Sequence, residues 1–133
     1  MKESKVTKKV REGVIKAYHA GEDVVKVVGS ITKEIIKTTK DEDLNTKEKV
    51  QTLAKEALQG AKEGYKKAKP PTKEFAKKAS KTIVEAIKVN APKVAHFTKD
   101  VFEGLIEGTK DLFDEGKQKE EEEEKVEEKK KEE

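Results

Sequence analysis

Two imidazoles, His19 and His96, are the side chains of this 133-residue chain best suited to metal binding or to proton transfer near neutral pH. Zinc held on a helix asks for a second ligand one turn away, as in HxxxH or HExxH, and neither histidine has one. Each therefore reads as a half-apolar ring at the edge of a helix face. Carboxylates are numerous, 28 Asp and Glu in all, but they alternate with lysine on outer faces. A general acid needs desolvation or a like charge to raise its pKa, and a lysine neighbour acts in the opposite direction. No GxSxG, GxGxxG or GxxxxGK[ST] run supplies a nucleophile elbow or a phosphate loop. With no cysteine there is no thiolate ligand and no disulfide. The residues predict no catalytic site, no metal and no cofactor.

Glycine spacing is more informative. Gly13 with Ala17 and Gly21, Gly60 with Gly64 and Ala68, and Gly104 with Gly108 give three helices a column of small residues four apart. In a membrane such columns let helices touch, but Lys62, Glu63 and Glu107 lie between them and exclude that setting. Each interior glycine costs about 1 kcal/mol relative to alanine, so Gly13, Gly29, Gly60, Gly64, Gly104 and Gly108 together cost about 5 kcal/mol. That is the scale of a small domain's whole stability. Close helix packing at Gly13, Ala17, Gly60, Gly64, Gly104 and Gly108 is the expected compensation.

The elements that carry these columns follow from periodicity and punctuation. Val6, Val10, Val14 and Ala17 have helical spacing over residues 4–20, and Gly21-Glu22-Asp23 reads as a turn between a C-terminal glycine and an Asp N-cap. Val24, Val25, Val28, Ile31, Ile35 and Ile36 predict a second helix over 24–39, β-branched enough that packing must hold it. Asn45 and Glu48 read as a capping pair for a third helix that runs to Ala68 and stops at Pro70-Pro71. A fourth helix is predicted from Pro71, with Phe75, Ala79, Ile83, Ala86 and Ile87 inward; Asn90-Ala91-Pro92 reads as either an Asn cap with a new start or a kink, and a fifth helix is expected over 91–116.

Composition narrows the class. Hydrophobic residues make up 32% and charged residues 44%, a folded but thinly cored balance. Arg11 is the lone arginine, and the Lys/Glu enrichment with only five Asn and Gln is the pattern of heat-adapted proteins. The first twenty residues lack the apolar core of a secretory signal, and no stretch approaches the roughly 18 apolar residues of a membrane span, so a cytoplasmic protein is expected. Residues 117–133 have Val126 as their only apolar member and five consecutive glutamates from Glu120 to Glu124, which predicts a charged, frayed or disordered tail. That tail carries a formal −3; the whole chain is +3, which leaves +6 on residues 1–116.

Lysine recurs every eleven residues at Lys55, Lys66, Lys77, Lys88, Lys99 and Lys110, and Pro70 and Pro92 stand twenty-two apart. Eleven residues make about three turns, so each column stays on one side of a helix. This register resembles the 11/22-residue amphipathic repeats of exchangeable apolipoproteins and of group 3 late-embryogenesis-abundant proteins, over Ala54 to Phe113. The resemblance implies reversible lipid-surface binding or protection under stress. The glycine columns and the β-branched second helix depart from both families. Glu12 to Ala17 followed by Gly21 to Val25 is also similar to small prokaryotic helical proteins that repeat an EG-apolar-apolar turn, which implies fold alone. Val10 to Ala17 recurs in outline as Val101 to Gly108, as a duplicated helical unit would.

The resulting expectation is an all-α, antiparallel four- or five-helix bundle over residues 1–116 with a charged C-terminal tail over 117–133. A thin core favours a homo-oligomer or a helical protein partner. The main alternative places Phe75, Ile83, Ile87, Phe97, Phe102, Leu105 and Phe113 on a peripheral anionic membrane as an apolar interaction face. Weak polyanion binding ranks below it. Nucleic acid is disfavoured, because arginine is nearly absent and no aromatic residues interleave with the basic face.

Overall fold

The computed structural model describes residues 4–112, which fold into an all-α bundle of five helices: α1 (Lys5–His19), α2 (Val24–Thr38), α3 (Lys47–Lys66), α4 (Lys73–Asn90) and α5 (Thr98–Leu112). The predicted tail and the end of the predicted fifth helix, 113–116, lie outside the described residues.

Each boundary has a local cause. Ser4 caps α1 by accepting the Val6 and Thr7 amides at 3.1 and 3.2 Å. Gly21, at φ 73°, ends it: the Gly21 amide donates to Tyr18 and the Glu22 amide donates to Ala17 at 2.9 Å, a Schellman closure that needs a left-handed residue. Asp23 then accepts the Lys26 amide and starts α2. Within α2 the Thr32 hydroxyl donates back to the Val28 carbonyl at 2.7 Å, which satisfies a polar group that is wholly buried.

Three boundaries differ from the sequence reading. Thr46, not Asn45, caps α3, accepting the Lys49 amide at 3.2 Å; Asn45 is exposed. The fourth helix begins at Lys73 because Thr72 takes the cap, accepting the Phe75 amide at 3.0 Å, which leaves Pro71 outside. Asn90 does not cap a new helix. It closes α4, its side-chain amide donating to the Ala86 carbonyl, and Pro92–Phe97 is a 3-10 segment before α5 proper begins at Thr98.

Helices α1 and α2, and α3 and α4, form antiparallel hairpins. Gly13 faces Ile31 and Val27 across α1 and α2, and Tyr65 stacks on Phe75 across the α3–α4 turn with centroids 4.0 Å apart. The closest seam, however, joins parallel helices. Val10 and Val14 of α1 meet Gly60 and Gly64 of α3 in rising order. Lys47 and Gln51 of α3 likewise meet Asp100 and Gly104 of α5. Gln51 and Gly60 are nine residues apart, so they fall about 180° apart on α3 at about 100° per residue. Helices α1 and α5 therefore flank α3 on opposite sides. Gly29 of α2 meets Thr82 of α4, so α2 and α4 form a second layer over the first. The core lies between the layers, built on Val10, Val14, Val28, Leu58, Ile83, Ile87 and Leu105.

Candidate interaction surfaces

The α1–α3 seam brings backbones close. A Cβ on Gly60 would stand 2.9 Å from the Val10 Cβ and 3.1 Å from the Arg11 nitrogen, and one on Gly64 would stand 2.8 Å from both the Arg11 carbonyl oxygen and the Val14 Cβ. Beside these glycines the Thr7 hydroxyl donates to the Glu56 carbonyl at 2.9 Å. At the solvent edge Arg11 Nη1 pairs with Glu63 Oε1 at 3.1 Å, and Gln59 donates to Glu63 Oε2 at 2.6 Å. The Gln59 amide first, and then the Arg11 guanidinium with Lys62 nearby, hold the Glu63 carboxyl below its usual range, against the opposing pull of burial. These contacts tie α1 to α3 at the edge of the seam.

The other small residues are placed differently. Ala17 is buried at 2% exposure. Gly13 faces the tip of Ile31, and Gly104 faces the side-chain amide of Gln51, both flexible ends. Gly108 is a correction: among the described residues, a Cβ there meets nothing within 4 Å.

The predicted apolar interaction face is also corrected. Phe75, Ile83, Ile87 and Leu105 are between 0 and 6% exposed and belong to the core, since two layers offer every helix an apolar neighbour. Phe97 is half-buried against that core, Phe102 is half-buried on α5, and Phe113 lies outside the described residues. The lysine columns divide among three helices, with Lys55, Lys66, Lys77, Lys88 and Lys99 all exposed.

His19 sits beside Tyr18, and His96 lies against Phe97 at 4.0 Å; both histidines are exposed. Among the described residues no group of three His, Cys, Asp or Glu side chains could hold a metal ion. No described helix is long and apolar enough to cross a membrane. The Ser80 hydroxyl is buried in α4 without a hydrogen-bond partner among the described residues.

Sequence reasoning missed one concavity. A cleft of about 530 Å³ opens where α2 and α4 end, floored by Ile36, Leu44 and Val94 and rimmed by Asn90, Lys93 and His96. Its one signal was Leu44, a single apolar residue in the polar loop 40–45, which is 7% exposed. Comparison with family models, curated proteins and solved structures returned no match.

Proposed function

We propose that this protein is a non-enzymatic helical structural and interaction module that associates with itself. One observation supports the reading: Phe102 and Ile106, one turn apart on α5, are half-buried and stand outside the partly buried residues that pack on the core. Apolar side chains that a small domain leaves only partly covered are the ones association can cover further. The charged groups support a structural role as well. They form surface pairs, such as Lys78 with Glu74 and Arg11 with Glu63, and Glu63 takes its partners as a clamp would.

A peripheral contact with anionic membrane is a second reading, favoured by the exposed lysines at 55, 66, 77, 88 and 99. It would use charge alone, because the aromatic and aliphatic residues that could enter lipid are mostly committed to the core. Light scattering of the full chain over a wide concentration range tests the main reading. Mass that rises from monomer to a defined oligomer supports it, and a monomer at every concentration overturns it.

A further inference from the structure

The positive charge of the bundle is gathered at one end. Residues 62–81, the end of α3 and the start of α4, hold eight lysines against Glu63 and Glu74, a formal +6 that equals the whole excess of residues 1–116. Both carboxylates are engaged within the bundle, Glu63 with Arg11 and Glu74 with Lys78. Lys66 and Lys77, two members of the eleven-residue lysine column, belong to this patch.

Helix α5 runs towards the patch in a groove between α3 and α4. It is parallel to α3 with Gly104 level with Gln51, so Leu112, eight residues on, is level with Gln59. Lys62 lies eleven residues past Gln51, hence on the same α5-facing flank of α3, and Lys66 is one turn further. On α4, Thr82 meets α2; Lys73 and Lys77 lie about 180° and about 140° around from it, on the flank left to α5. The Tyr65–Phe75 stack sets these two lysines level with the end of α3. Past Leu112 the groove therefore has Lys62 and Lys66 on one wall and Lys73 and Lys77 on the other. Lys62 and Lys73 are half-buried, as wall residues are, and Lys66 and Lys77 are exposed.

We propose that the chain's own acidic run, Glu120–Glu124, docks on this lysine-walled groove in cis and covers the basic patch. Reach permits it. Glu120 stands eight residues past Leu112, about 12 Å along a helix and at most about 28 Å in extended chain, while Lys66 lies about 10 Å beyond the level of Leu112. Charge favours it, because five glutamates meet a patch of formal +6 and leave it nearly neutral. Tethering favours the run over any free acidic partner, since a short linker gives an effective concentration on the millimolar scale. Acid that follows a helix C-terminus is also badly placed against the helix dipole, and lysines across the groove offset that.

The sequence has no cysteine, so a spin label on Glu122→Cys reports the place of the run in the full, nitrogen-15-labelled chain. Amides near Lys62, Lys66, Lys73 and Lys77 should broaden at low salt, several-fold more than those near Lys33 and Lys37, exposed lysines towards the far end of α2. The broadening should vanish towards about 1 M salt, where the Debye length is about 3 Å. Lys66→Glu with Lys77→Glu should abolish it, and Lys33→Glu with Lys37→Glu should not. Carbodiimide cross-linking of the unaltered chain needs no variant: Glu120–Glu124 should couple to the four groove lysines ahead of Lys33 and Lys37. No broadening at low salt, broadening spread evenly over all lysines, or equal effects of the two double variants would mean that the run is only solubilising, and would overturn the proposal. Broadening that appears only when spin-labelled unlabelled-isotope chain is mixed with nitrogen-15 chain would place the run on a second copy and overturn docking in cis.

Discussion

Gly60 and Gly64 show how a residue that weakens a helix can strengthen a fold. Their missing side chains admit the α1 backbone, and the atoms met are two carbonyl oxygens, an amide nitrogen and two Cβ atoms, which cannot swing aside, together with one Val14 methyl. Gly64→Ala should therefore destabilise by about 1–3 kcal/mol, because a Cβ 2.8 Å from the Arg11 oxygen forces the helices apart. Gly108→Ala meets nothing and should stabilise by up to about 1 kcal/mol through helix propensity alone. Denaturant unfolding of the two variants reads both signs, and two shifts of the same sign would refute the distinction. Sequence spacing placed both glycines in small-residue columns but could not separate them, since the difference depends on which atoms of a neighbouring helix each one faces. Glu63 gives a second residue-level test. Its folded pKa is depressed, chiefly by the Gln59 amide, so its contribution is complete above about pH 4.5 and is lost as pH falls through the lower folded value. The melting temperatures of the parent and Glu63→Gln should differ at pH 6 and draw together towards pH 3. A difference that is unchanged over that range would mean the carboxylate charge does not hold the clamp.

At the scale of the element, most of the helices were legible because punctuation and periodicity agreed. Gly21-Glu22-Asp23 marked a stop and a start, and both the left-handed glycine and the Asp cap are present. The α4 stripe of Phe75, Ala79, Ile83, Ala86 and Ile87 is buried throughout. Errors arose where two capping residues stood side by side. Asn45 and Thr46 both cap well, and the choice depends on which backbone turns extended, a matter settled by Leu44 being drawn into the core. Thr46→Ala should accordingly cost about 1 kcal/mol, and Asn45→Ala should leave the melting temperature nearly unchanged. The reverse order would restore the Asn45 cap. The 3-10 segment at Pro92–Phe97 was illegible for a related reason. Proline forbids the continuation of α4 but does not say whether an α-turn or a tighter one follows, and that is decided by packing Val94 inward, where it is 5% exposed. Parallel seams were equally hidden, because spacing along one helix defines a face without naming the helix that meets it.

The whole molecule separates its charge from its apolar surface, and this decides between the ways it could meet a membrane. An amphipathic surface helix folds on lipid because its apolar face has nowhere else to go. Here Phe75, Ile83, Ile87 and Leu105 already pack between two layers, so lipid has to compete with a formed core. The exposed lysines at 55, 66, 88 and 99, in contrast, can meet anionic headgroups without any change of fold. Phosphatidylglycerol vesicles should therefore leave the far-ultraviolet dichroism almost unaltered, since the five helices are already formed in the bundle and are expected to melt as one cooperative unit. Whatever binding co-sedimentation detects at low salt should fade towards physiological ionic strength, where the Debye length shrinks to about 8 Å and a body of modest net charge loses its attraction. Neutral vesicles should bind nothing. A large gain of helix on vesicles, or binding that survives high salt, would mean that the layers open and present their apolar faces to lipid, and the bundle would then be the storage form of a surface-active protein.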